Sequence, residues 1–228
     1  MKAMWCIPPQ QNAEFVAKME DVLEVYARPY NEDYPVVCMD EKPFQLLDER
    51  TQPIKMAEDN HKLREDCQYE RKGSCSIFMF TEPLAGWRNA QALPRRTSED
   101  WARKIQWLLD EQYPLAKKVV LVMDNLNTHS ISSLYKVFPP QKAFELAQRL
   151  EIHYTPKHGS WLDIAEIELS ALAVQCLGTR RISTIEALNA ELNAWYCARN
   201  SNQRGVTWHF TTDDARIKLK QLYPVVQF

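Results

Sequence analysis

Apolar positions along this chain change rhythm several times, and each change predicts an element. Phe15, Met19, Val22, Leu23 and Tyr26 recur at helical spacing, so residues 11–27 read as an amphipathic helix that Pro29 ends. A short apolar run follows at 35–40 and reads as a buried strand. Further strands are expected at 44–47, 68–71, 74–80 and 88–93, with a polar loop over 50–66. Thr97-Ser98-Glu99-Asp100 has the form of a capping box, and Trp101, Ile105 and Leu108 then mark one helix face up to Pro114. A strand at 118–124, helices near 130–137 and 141–150, and a strand at 152–154 come next. One long helix is predicted over 161–177, with Ile164, Ile167, Ala171 and Val174 as its packed stripe. Ser183 and Glu186 cap another helix, which carries Leu188, Leu192, Trp195 and Tyr196, and a last helix spans about 212–222 before Pro224.

Hairpin strands first and strand–helix alternation afterwards point to an α/β layered domain. No stretch of 18 apolar residues exists, which excludes a membrane-spanning helix. Residues 1–9, with Pro8-Pro9, read as a linker and not as a signal peptide. The six cysteines form no C-x-x-C pair, which argues against a zinc ribbon and fits a reducing cytosol. Net charge is −2, a mild argument against a free-standing nucleic-acid binder, since those are usually basic.

The chemistry lies in three carboxylates. Pro35-Val36-Val37-Cys38-Met39-Asp40 and Lys118-Val119-Val120-Leu121-Val122-Met123-Asp124 are two apolar strands that each end on an aspartate. Strand alternation puts Asp40 on one face and Glu41 on the other. Glu166 follows on the long helix, with Asp163 about 60° away and Glu168 about 160° away at the 3.6-residue period. Taken singly, each acid reads more readily as a turn cap or a solvated side chain than as a ligand. Two matched strand ends and a helix acid together suit Mg²⁺ or Mn²⁺, which take oxygen ligands.

Rival sites are weaker. With glycine only at 73, 86, 159, 178 and 205, no phosphate-binding G-x-x-x-x-G-K-[ST] loop can be written. His129, His153 and His158 lie near the acids but lack an H-E-x-x-H arrangement, so they read as hydrogen-bonding or DNA-contacting residues. Trp87-Arg88, Arg95-Arg96, Lys157-His158 and Arg180-Arg181 are candidate phosphate contacts, with Lys157 and His158 the strongest. Trp101, Trp107 and Trp195 sit in helical patterns and read as core or interface.

Three blocks in order carry a family resemblance. They are Met39-Asp40-Glu41-Lys42-Pro43-Phe44-Gln45-Leu46, then Asp124-Asn125-Leu126-Asn127-Thr128-His129, then Tyr154-Thr155-Pro156-Lys157-His158-Gly159-Ser160-Trp161-Leu162 followed by Ala165-Glu166. Together with the tail from Trp208 to Leu219, they resemble the DDE transposases of the bacterial insertion-sequence branch of the mariner superfamily. The resemblance implies an RNase H-like fold, a mixed central sheet flanked by helices. It divides the chain into a linker and N-terminal helix at 1–30, a catalytic domain at 31–200 and a C-terminal tail with a helix at 201–228. It implies Asp40, Asp124 and Glu166 as catalytic, metal-binding residues for two Mg²⁺ or Mn²⁺ ions.

The reaction implied is DNA cleavage at element ends and attack of a 3′-hydroxyl on target DNA, usually at TA. A homodimer and a cytoplasmic, nucleoid-associated location in bacteria are implied with it. Two departures stand out. Asp163 occupies a position where the family has Asn, and it is expected to be a solvated fourth acid. The family's N-terminal helix-turn-helix region has no counterpart here, because the sequence begins near the inter-domain linker. A nuclease that cuts without joining, or an inactive copy that regulates by dimerisation, are the alternative readings.

Overall fold

The computed structural model describes residues 7, 8, 10–51, 67–202 and 204–225. The expected linker at 1–9 and polar loop at 50–66 lie largely outside them. Five strands form one mixed sheet: β1 (Val36–Glu49), β2 (Tyr69–Glu82), β3 (Trp87–Leu93), β4 (Val119–Met123) and β5 (Leu150–Tyr154). Their order is β3-β2-β1-β4-β5. The β1–β2 and β2–β3 pairs are antiparallel, while β4 runs parallel to β1 and to β5.

Strand alternation splits the apolar residues between two layers. Cys38, Ile77, Met79, Val120 and Val122 face one core. Val37, Met39, Phe78, Phe80, Leu121 and Met123 face the other. Helices α1 (Ala13–Tyr26), α5 (Ile164–Leu172), α6 (Ile185–Ser201) and α7 (Thr212–Lys218) cover the first face. Helices α2 (Ser98–Trp107), α3 (Ile131–Val137) and α4 (Pro140–Gln148) cover the second. Burying each large apolar side chain contributes about 1.5–3 kcal/mol, which makes these two layers the main source of stability.

The elements follow the sequence pattern with instructive exceptions. Thr97 does cap α2, in a reciprocal box with Asp100. The cap of α6 is Thr184 and not Ser183, one position later than expected. The segments expected at 35–40 and 44–47 are one continuous strand that passes through Pro43. The long helix expected over 161–177 is three pieces: a 3₁₀ turn (Ser160–Leu162), α5, and a π turn (Ala173–Leu177) that ends at Gly178, φ 52°. Its packed stripe is also rotated from the expected one. Ala165, Leu169 and Leu172 are buried, whereas Ile167 is half exposed and Val174 is 82% exposed. Apolar residues occur all round this segment, so periodicity alone leaves its rotation open.

Candidate active site

Register brings the two strand-end aspartates together. Val36 to Met39 pair in parallel with Val120 to Met123, so the next residue on each strand is Asp40 and Asp124. At that point β4 ends while β1 continues beside β2 alone, which opens a notch at the sheet edge. Asp40 keeps the parity of Cys38 and therefore lies on the face covered by α1 and α5. Its Oδ1 accepts the Glu41 backbone N–H at 2.7 Å. Burial pushes the Asp40 carboxyl up to about 7 against that hydrogen bond, with the nearby charges of Asp124, Glu166 and Glu41 raising it further.

Glu166 is exposed on the first turn of α5. Asp163 is not the solvated acid expected. It is 3% exposed, and it is the N-cap of α5, its Oδ1 accepting the Ala165 N–H at 2.9 Å. Burial first, then the charge of Asp40, holds its carboxyl well above the usual range. Glu168 does project away from Glu166, but it is buried and not solvated. Both Arg199 and Arg88 reach it, and Arg88, a candidate phosphate contact in the sequence, is itself 1% exposed. The charge of Glu168 draws both guanidiniums inward, because an unpaired carboxylate in that core would be costly.

Glu41 keeps the parity of Met39 and points to the opposite face, where His129 Nε2 meets its Oε1 at 3.0 Å. The other ring nitrogen, Nδ1, lies 2.8 Å from Asp124 Oδ1, at contact distance but out of line for a hydrogen bond. Burial pulls the imidazole toward neutrality, but Asp124 and Glu41 outweigh it and raise its pKa to about 9. His129 is thus a buried hydrogen-bonding residue rather than a surface DNA contact.

One cleft of about 740 Å³ gathers these groups. Asp40, Asp124, Asp163 and Glu166 line it on one side, with Lys157 and His158 on its rim. His158 holds a left-handed backbone, φ 66°. The first turns of α1 supply the facing wall through Asn12, Phe15 and Lys18. Nothing in the sequence pattern located that wall, because a polar helix flank reads as solvated. At the other end of α1, Tyr26 donates to the Leu162 carbonyl at 2.7 Å, just ahead of α5. Of the other candidate cations, Arg180 pairs with Glu191 and Arg181 with Glu49.

The donor set is all oxygen, which fits a hard divalent cation. The Asp40 carboxyl, raised first by burial and further by the charges of Asp124, Glu166 and Glu41, is one that a bound cation would draw back toward its ionised form. Among the described residues, no three His, Cys, Asp or Glu side chains stand close enough to hold one ion.

No curated protein matches the chain in sequence. Its backbone resembles the catalytic domain of Mos1 mariner transposase, with a TM-score of 0.57 at 13% identity over 96% of this chain and 100% of that one. A Mos1 mariner paired-end complex with Mn gives 0.59 at 13% identity, and a Mos1 strand transfer complex gives 0.59 at 12%. In both, the match covers 93% of this chain but only 63% of the Mos1 chain, so the present sequence spans less than two thirds of those proteins. At identities this low the likeness shows the fold alone, which is RNase H-like. A model of the DDE superfamily endonucleases matches residues 35–189, well over half of the 228. The chain belongs to the DDE superfamily endonuclease family.

Proposed function

We propose that this chain is the catalytic part of a DNA transposase, which cuts DNA at element ends and joins the new 3′-hydroxyl to target DNA. The observation that carries the reading is the shared cleft of Asp40, Asp124 and Glu166 at the ends of adjacent parallel strands, within a family-matched segment. These three side chains would hold Mg²⁺ or Mn²⁺, in a pair. When bound, two such ions lower the pKa of water or a hydroxyl and neutralise charge on the leaving oxygen.

The chain's own part is positioning, which in-line phosphoryl transfer needs more than covalent groups. Asp40 and Asp124 sit on a rigid sheet edge, and Glu166 closes from the helix. Lys157 and His158 line the cleft where a DNA backbone would enter, and Lys157 supplies positive charge there. Target choice at TA and a homodimer follow from the family resemblance.

The test is a strand-transfer assay with a pre-cut end that carries a free 3′-hydroxyl. Joining in Mg²⁺ that is lost in Asp40→Asn, Asp124→Asn and Glu166→Gln supports the proposal. Cleavage without joining would assign the chain to nucleases of the same fold. No divalent-dependent chemistry from a folded chain would leave the regulatory, inactive copy as the reading.

A further inference from the structure

His129 is clamped between two carboxylates of different kinds. Glu41 is buried on the α2 face, its side chain 1% exposed, and has no access to the cleft. Asp124 has a side chain 36% exposed and lines the cleft. The imidazole between them is fixed on other sides as well. The Trp101 ring stacks on it, with centroids 6.0 Å apart and planes 25° apart. Tyr154 donates its hydroxyl to the His129 carbonyl at 2.9 Å. Both ring nitrogens therefore have assigned neighbours, and neither faces open solvent.

We propose that His129, anchored by Glu41, is a positioning residue for Asp124. Its Nδ1 occupies Asp124 Oδ1 and leaves Oδ2 as the oxygen presented to the cleft, so that Asp124 serves as a one-oxygen ligand of fixed direction. Nδ1 and Oδ1 stand at contact distance but off line, and catalytic contacts of this kind become better aligned in the reacting complex. Residues that orient a ligand from behind typically change metal affinity by about 10–100-fold when removed. The proposal rests on Asp124 being a metal ligand.

Two substitutions separate the ring's two contacts. In His129→Asn the amide nitrogen stands near Nδ1, which keeps the donor toward Asp124 and drops the bond to Glu41. In His129→Gln it stands near Nε2, which keeps Glu41 and drops Asp124. Free Mn²⁺ is titrated by electron paramagnetic resonance into the full chain without DNA, and melting temperatures are recorded alongside. His129→Gln should bind Mn²⁺ about tenfold more weakly than wild type or worse, while His129→Asn stays within about threefold, at similar melting temperatures. Equal affinities in two folded variants overturn the proposal, because a purely structural histidine would not distinguish them. Should either variant fail to fold, Glu41→Gln and Glu41→Ala read the same relation from its anchor. Gln keeps an oxygen for His129 and should hold affinity within about threefold, whereas Ala should lose about tenfold. Equal affinities there are again contrary. Wild-type chain that takes up no Mn²⁺ sensitive to Asp40→Asn removes the metal reading and this proposal with it. Wild-type uptake with indistinguishable variants removes the positioning role alone.

Discussion

Arg88 of β3 and Glu168 of α5 meet in the core, Nε to Oε2 at 3.2 Å, with side chains 2% and 5% exposed. Arg199 of α6 closes the far side of the same carboxylate, its Nη2 reaching both oxygens at 3.1 Å. This triad joins the sheet edge to two helices and sets the rotation of the helix that carries Glu166.

Removing the central charge leaves Arg88 buried and unpaired. Breaking a buried pair costs about 3–5 kcal/mol. Glu168→Gln should therefore lower the melting temperature by roughly 10 °C in a chain of this size. Calorimetry checks it. Unchanged stability would mean that the triad contributes nothing net.

Asp163 predicts the opposite sign. Its folded carboxyl lies above its unfolded value, so ionising it opposes folding, and stability is lost as pH rises from the unfolded pKa toward the folded one. Asparagine keeps the N-cap without the acid. Asp163→Asn should raise the melting temperature at pH 7 and leave it nearly unchanged near pH 3, where the carboxyl is largely protonated in both the folded and the unfolded chain. Paired melts at the two pH values measure the difference.

Asp40 gives a pH dependence to metal uptake. With its carboxyl near 7, protons compete with a cation below neutrality. Mn²⁺ uptake at limiting metal should rise through pH 7, and the inflection should move to lower pH as Mn²⁺ is raised. Asp40→Asn should abolish this inflection.

Lys157 is exposed and lines the cleft. Lys157→Ala should weaken DNA binding equally for element-end and scrambled duplexes. The slope of log affinity against log salt should fall by about 0.9, one phosphate contact. Fluorescence anisotropy at several salt concentrations checks both points.

The strand-end aspartates were legible because a parallel pair of apolar runs brings their last residues into register. The layer assignment followed from the same alternation. Pro43 hid the continuation of β1, yet a missing N–H is tolerated there because β4 has already ended and one side of β1 is unpaired. The break before α5 had a signal that the helical period masked: Asp163-Ile164-Ala165-Glu166 is itself a D-x-x-E start. Glu168 and His129 each have a partner that no local pattern could supply, Arg88 and Glu41. Their partners lie 80 and 88 residues away and exist only once β3 and β1 are in the sheet.

Anomalous diffraction from crystals of the chain soaked in Mn²⁺ locates the metal itself. A peak is expected in the cleft with Asp40, Asp124 and Glu166 oxygens around it, Glu166 having rotated inward. Manganese held elsewhere, or in the cleft by Asp163 without Glu166, would contradict that expectation.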